Sequence, residues 1–460
     1  FNDNPYVKLK FSQDTVSFDT IFTTIGTPTK LLKIYNPTSQ SVKISKMFLA
    51  GGGQSAFKLN IDGSEINPVE NIEIYPHDSL FLFVIAKVEQ NFKDAPLFVH
   101  DSIVFITNGN MQHVELCAWG QDIHLLNNST LKSQTWTNDK PYLIYGHVVV
   151  DSSQTLNIEE GTLVYLHKNA SLIVKGTLNV HGSRAHPVIF RGDRTEHWYD
   201  SIPGQWGTIS IEVPSKGNVI DYAVLKNGTT GISIGKYNDK THPSLTLSNT
   251  IIENMSYSGI ISMGASFLAA NTVITDCANY LAALLSGGNY RFYHCTLVNY
   301  WNSFSLRSSP SILLTNTFTM PVLGQSSGRS EPISYAGDLD VLFANSVICG
   351  FLPNEVNFIF DPHAGKANFV FDHCLLKLNP AKPDNNNFKV DTSDVRYFKN
   401  VLFNQDPMFK SVANMDFKPD VFSILRNKGA LEYGQLYPFD IMGRSRTVDS
   451  APDLGAYEGE

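Results

Sequence analysis

Charge is scarce in this chain. Lys, Arg, Asp and Glu together make up 17% of its 460 residues, against roughly 25% in an average soluble domain. Hydrophobic residues reach 42%, which excludes disorder as the main state. Solubility then falls to Asn, Ser and Thr, a surface typical of β-rich extracellular proteins rather than helical cytosolic ones. The net charge of −8 comes without any run of Lys or Arg, so there is no electrostatic footprint for nucleic acid or for an anionic membrane surface. Long apolar runs are missing too. The longest, Leu80 to Ala86, is seven residues, where a membrane-spanning helix needs about 20. Cysteine is sparse: Cys117, Cys277, Cys295, Cys349 and Cys374 are too few and too scattered for a disulfide framework, contain no CxxC, and being odd in number leave at least one free thiol. The first residue is Phe1 rather than Met, from which we expect that a targeting segment has been removed and its address with it.

What is present first is alternation. Val16-Ser-Phe18, Leu32-Lys-Ile34, Val42-Lys-Ile44, Phe57-Lys-Leu59-Asn-Ile61, Ile72-Glu-Ile74 and Val114-Glu-Leu116 place apolar residues at every second position between turn signals. Such runs predict a β-sandwich of immunoglobulin-like size over residues 1–122. The Cys…Trp…Cys pattern of antibody domains is lacking. The alternation lapses into Asn, Ser and Thr afterwards, so residues 123–141 read as a linker.

From residue 142 onward short strands begin to repeat. Tyr222-Ala-Val-Leu-Lys-Asn227, Asn249-Thr-Ile-Ile-Glu-Asn254, Asn271-Thr-Val-Ile-Thr-Asp276, Cys295-Thr-Leu-Val-Asn-Tyr300, Asn316-Thr-Phe-Thr319, Asn345-Ser-Val-Ile-Cys-Gly350 and Cys374-Leu-Leu-Lys377 begin 27, 22, 24, 21, 29 and 29 residues apart. A coil of about 22 residues with loop insertions predicts a parallel β-solenoid, in which each coil must stack on its neighbours to bury its apolar face. Within one coil, Leu245-Thr-Leu247 is a strand, Ser248-Asn249 a tight turn, Thr250-Ile-Ile252 a second strand, Glu253 to Ser258 a corner and Gly259-Ile-Ile-Ser262 a third strand. Inward-pointing Asn249, Asn271, Asn316 and Asn345 are expected to form a ladder that satisfies buried backbone groups.

Residues 142–430 therefore resemble the right-handed parallel β-helix superfamily, whose best-known members are pectate-lyase-like enzymes. Leu156-Asn-Ile-Glu-Glu-Gly-Thr162, Ser171-Leu-Ile-Val-Lys-Gly-Thr177 and Trp206-Gly-Thr-Ile209 are similar to the opening coils of secreted bacterial β-helix proteins. Asp440-Ile-Met-Gly-Arg-Ser-Arg446 and Pro452-Asp-Leu-Gly-Ala-Tyr-Glu458 are similar to their closing segment, placed at residues 431–460. The N-terminal sandwich resembles domains that precede such helices in surface lipoproteins of Gram-negative bacteria. The resemblance implies an extracellular or cell-surface location, lipid-anchored to the bacterial outer membrane, and a role with polysaccharide. Activity does not follow from it, since sites rather than folds carry function.

Three short motifs have plain structural explanations. Gly324-Gln-Ser-Ser-Gly328 matches G-x-S-x-G, but lies in a polar insertion with no helix after it. Arg191-Gly-Asp193 is a tripeptide met by chance. His294-Cys295 and His373-Cys374 look like halves of a zinc site, yet three coils at about 4.8 Å each keep them roughly 14 Å apart; they are expected to fill the ladder column, within one residue.

Lyase chemistry needs a base and a cation, often calcium held by clustered carboxylates. On the strand after the long corner the outward residues are Ser233, Ile261, Ala283, Ser305 and Arg307, with no carboxylate. Glu253, Asp276 and Arg291, on corners and neighbouring strands, read as solvated loop charges. Tyr257, Tyr280, Tyr300 and Trp301 fall in one corner of three successive coils. They form either a stripe that stacks on sugar rings, with Arg307 beside it to pair a uronate or sulfate, or a cover over the corner's own backbone. The function expected is a non-catalytic surface or secreted protein that binds a glycan along the β-helix through these five residues, with no catalytic group, metal or cofactor. The alternatives are a polysaccharide lyase or glycoside hydrolase with a cleft on the same face, and an adhesin that contacts a host protein. Two carboxylates, or a carboxylate with Arg or Lys, converging beside the aromatic corner would favour an enzyme.

Overall fold

In the computed structural model the described residues are 1–23, 25, 29–61, 64–65, 68–89, 97–235, 244–301, 306–320, 333–379 and 390–459. Gly324 to Gly328, His242 and Ser305 lie outside them. The chain divides into two units, one of Phe1–His124 with Thr195–His197, the other of Leu125–Arg194 with Trp198–Glu460.

In the first unit, alternation produces the expected sandwich. Val42–Leu49, for example, buries Val42, Ile44, Met47 and Leu49 and turns Lys43 and Ser45 outward. Each of its two sheets has five strands. Between them lie Leu32, Ile34, Ile44, Met47, Val84, Ile103, Phe105 and Leu116.

The second unit is a parallel β-helix of three sheets. Sheet 1 contains ten strands, from Gln134–Trp136 to Phe398–Lys399. In the best-ordered coils the chain passes from sheet 1 (Leu245–Ser248) through Asn249 to sheet 2 (Ile251–Met255), round a corner to sheet 3 (Ser258–Met263), and back to sheet 1 (Ser266–Ala270). This is the order read from the repeat. Successive coils register in parallel, so that Leu225, Ile252, Ile274, Leu297, Ile348 and Leu376 form one inward row with no exposed surface. Each such side chain contributes about 1.5–3 kcal/mol of burial. Phe292, Phe343, Phe371 and Phe398 stack face to face beneath sheet 1, with centroids 4.4, 5.1 and 5.7 Å apart.

The ladder differs from expectation by one residue. Tyr222, Asn249, Asn271, His294, Asn345, His373 and Asn400 occupy the tight turn with φ of 47–50°, a left-handed conformation that Asn tolerates because its amide bonds locally. The residues that point into the core are the next ones, Thr250, Thr272, Cys295, Ser346 and Cys374. Each gives its hydroxyl or thiol to a carbonyl two residues back. The His-Cys pairs thus fill the column as anticipated, though two coils apart rather than three. Asn271 and Asn345 face outward and are buried beneath the C-terminal segment: Asn271 donates to Asn249 Oδ1 (3.1 Å) and Phe439 O (2.9 Å), and Asn345 exchanges bonds with Ala430. Because side chains alternate across a strand, a one-residue shift moves the whole column to the other face. Asn316 stands elsewhere, at the corner after sheet 3, where it holds the 361–365 turn.

Two boundaries also differ from the reading above. Residues 123–141 are not a linker: His124–Leu131 and Gln134–Trp136 are strands of the first coil, with polar residues outward and Leu131 and Trp136 buried. The last strand of sheet 2 is Leu402–Phe403. The chain beyond it lays Phe417, Leu425, Ile441, Leu454, Ala456 and Tyr457 over the outer face of sheet 2, against Val273, Val298, Val347, Cys349 and Leu375. All five cysteines are unpaired. Among the described residues no helix is long and apolar enough to cross a membrane, and no group of three or more His, Cys, Asp or Glu is placed to hold a metal ion.

Candidate functional site

Beside the C-terminal cover, the strands of sheet 2 end and the chain turns toward sheet 3. Here Asn227, Asn254 and Asp276 follow one another in successive coils, with φ of 64, 55 and 49°. The amides form a short ladder, Asn254 Nδ2 donating to Asn227 Oδ1 at 2.8 Å. Their remaining donors fasten the one-turn helix His197–Ser201: Asn227 reaches Asp200 O at 3.0 Å and Asn254 reaches Ser201 O at 3.0 Å. One coil beyond Asp276 the column turns inward. Asn299 donates to Cys277 O and accepts from the Cys277 and Trp301 N–H groups, which sets the bend that carries Tyr300 and Trp301.

These corners enclose a cavity of about 610 Å³. Glu253, Asn254, Asp276, Tyr300 and Trp301 form its floor and sides, Asp200 and Ser201 one end, Phe351 the other, and Val412, Ala413 and Met415 the flank supplied by the C-terminal segment. Phe351 meets Tyr300 edge-on at 5.0 Å. At about 4.8 Å per coil, the column from Asn227 to Phe351 spans roughly 20 Å along the solenoid axis.

Three carboxyl groups line this cavity, and the surroundings of two of them, Glu253 and Asp276, differ. Glu253 projects outward from sheet 2. Burial raises its pKa, the nearby Asp276 carboxylate raises it further, and only Lys226 works in the other direction. Asp276 is also raised by burial, but the Thr275 side chain, the Tyr300 N–H and the Arg307 charge all favour its ionised form. Glu253 is therefore the better proton holder and Asp276 the better anion. The third carboxylate, Asp200, is paired with Arg191 at 2.8 Å. Trp301 is 5% exposed and lines the cavity, while its indole N–H is buried with no acceptor among the described residues.

The five residues expected to bind ligand do not form one stripe. Tyr300 and Trp301 line the cavity, whereas Tyr257 and Tyr280 do not. Tyr280 packs on the outer face of sheet 3 with Ala283, Leu285 and Leu313, and Tyr257 is exposed. Arg307 is not an outward strand residue. The corner after Asn299 is longer than the repeat suggests, sheet 3 resumes only at Ile312–Thr315, and Arg307 is drawn inside. There it forms a two-pronged pair with Glu355 at 2.6 and 2.8 Å and donates to the carbonyls of Ser309 and Asn299. Arg291 pairs with Asp340 on sheet 1, away from the cavity. Glu253 and Asp276, taken from sequence as solvated loop charges, are half-buried neighbours across adjacent coils. Their signal was available in the repeat itself, where Glu253 precedes Asn254 and Asp276 takes the Asn position.

No protein-family model matches the chain, and no curated protein matches it. Among solved structures, the catalytic unit of a thermostable GH87 α-1,3-glucanase from Streptomyces thermodiastaticus is similar over 75% of this chain and 73% of its own, with 10% identity and a TM-score of 0.33. A family 123 glycoside hydrolase from Clostridium perfringens is similar over 26% of each chain, with 10% identity and a TM-score of 0.18. A human ASH/PapD-like domain is similar over 26% of this chain and 91% of its own, with 9% identity and a TM-score of 0.19. Scores this low leave the functional reading to the geometry of the site.

Proposed function

We propose that the protein is a glycoside hydrolase that holds a polysaccharide chain along the solenoid axis and cleaves it between Glu253 and Asp276. The observation that carries this reading is the meeting of two unlike carboxyl groups beside Tyr300 and Trp301. Glycosidic cleavage needs one carboxylic acid to protonate the leaving oxygen and one carboxylate to activate water or attack the anomeric carbon. Glu253, desolvated and next to an anion, suits the first role; Asp276, whose burial is partly offset by the Thr275 side chain, the Tyr300 N–H and the Arg307 charge, suits the second. The rings of Tyr300 and Trp301 line the cavity and offer faces to sugar C–H groups. A uronate lyase would want a free cation at the cleavage point; Arg307 is already committed to Glu355, and the Lys226 charge acts on Glu253. A purely binding role leaves the two raised carboxyls without a use. An extracellular or surface location is part of the same proposal.

The test is to incubate the protein with a panel of polysaccharides and measure new reducing ends, with Glu253→Gln and Asp276→Asn alongside. Release by the wild type and its loss in both variants is expected. Release that survives both substitutions, or unsaturated products absorbing in the ultraviolet, would overturn the reading.

A further inference from the structure

Resting on that reading, we infer that the glycan taken by this cavity is uncharged along its backbone, free of uronate, sulfate and amino groups. The cavity lining contains no Lys, Arg or His among the described residues. Residues 302–305, which follow Trp301 in sequence and lie outside the described residues, are Asn, Ser, Phe and Ser, none of them ionisable.

Two of the cations nearby, Arg191 and Arg307, are already matched. Arg191 is paired with Asp200 at 2.8 Å. Arg307 is paired with Glu355 at 2.6 Å, with both side chains almost wholly buried. Each of these pairs sums to zero. Beside Tyr300 and Cys349, Asp406 and Lys377 sum to zero as well, which leaves the trio Glu253, Asp276 and Lys226, the Lys226 charge acting on Glu253. With Glu253 holding a proton, as a general acid must, this trio is also neutral. A uronate or sulfate would therefore meet Asp276 with no unmatched cation to offset it, while a cationic sugar would find no surplus negative charge to recruit it. The rest of the lining, Ser201, Asn227, Asn254, Tyr300, Trp301 and Phe351, offers hydroxyl and amide partners and ring faces, which suit hydroxyls and C–H surfaces. The uronate or sulfate contact expected for Arg307 from the sequence has no geometric basis.

Binding separates this inference from the catalytic one. Affinity electrophoresis of the Glu253→Gln protein, which binds without turning substrate over, is run through gels containing α- and β-glucans, mannan, xylan, polygalacturonate, alginate, a sulfated galactan and chitosan. Retardation by at least one uncharged polymer and by none of the charged ones is expected. Carboxymethylating the retained polymer should weaken its hold by about tenfold or more at low salt, the direction like-charge contact with Asp276 requires. Retention by an acidic polymer or by chitosan at least as strong as by every uncharged one, or no retention by any uncharged polymer, would overturn the inference. Retention of an uncharged polymer that the wild type never cleaves would leave the inference standing and overturn the hydrolase reading instead.

Discussion

Replacing Glu355 with Gln should cost about 3–5 kcal/mol, because it strands the buried guanidinium of Arg307. The Glu355 side chain has no exposed surface and that of Arg307 is 2% exposed. The carboxylate accepts from both Arg307 nitrogens, from the Ser311 N–H and hydroxyl, and from the Leu352 N–H, at 2.6–3.0 Å. Gln keeps one acceptor oxygen for the backbone but turns an NH₂ toward Arg307. The space is fixed, since a Cβ on Gly350 would lie 2.3 Å from Glu355 Oε1. Adding Arg307→Met to the Gln variant removes the stranded charge and should restore at least about 1–2 kcal/mol, a non-additivity expected for groups in direct contact. Urea unfolding followed by circular dichroism gives both numbers. A loss below about 1 kcal/mol for Glu355→Gln, or a double variant as unstable as the sum of the singles, would refute the reasoning that Arg307 is a structural cation. Amide exchange at Asn299 and Trp301 should accelerate in the single variant, because Arg307 also holds the Asn299 carbonyl.

Asn271→Leu should destabilise by about 1–3 kcal/mol and expose residues 439–446 to limited proteolysis, since the amide partners of Phe439 and Arg446 disappear; unchanged cleavage would remove the C-terminal cover from the account. Activity should rise with pH as Asp276 ionises and fall as Glu253 loses its proton. Both limbs should be displaced upward from those of exposed carboxyl groups, because burial raises both pKa values. In Glu253→Gln the falling limb should vanish, and its persistence would reassign the acid. Trp301→Ala takes away a ring that lines the cavity, so glycan affinity should drop by roughly threefold to tenfold; unchanged affinity would remove that ring from the binding site.

Much of this architecture was legible because a solenoid writes its coil into the sequence again and again. Asn249-Thr-Ile-Ile and Asn271-Thr-Val-Ile disclose the strand order directly, since neighbours must stack. What the repeat could not disclose is which outward positions are covered. Val273 and Val298 look like exposed strand residues until the chain returns more than a hundred residues later to lay Ile441 and Leu454 on them. That return also makes the cavity, by covering most of sheet 2 and supplying Val412 and Met415 as a wall. The carboxyls were sought on the strand after the corner, whereas Glu253 and Asp276 sit before it, where the amide column turns acidic. Arg307 was misplaced because an insertion carries no periodicity, so counting alternate residues through it assigns faces that do not exist.

The division of labour between Glu253 and Asp276 is tested most directly by leaving-group dependence. Once the released sugar is known, kcat/KM of Glu253→Gln is measured on the polysaccharide and on an aryl glycoside of the same sugar whose phenol leaves without protonation. The loss expected on the polysaccharide is about 10²–10⁴-fold, the usual contribution of a general acid, with far less on the aryl glycoside. Asp276→Asn should fail on both. Equal losses on the two substrates for Glu253→Gln, or a fully active Asp276→Asn, would contradict the proposed catalytic pair.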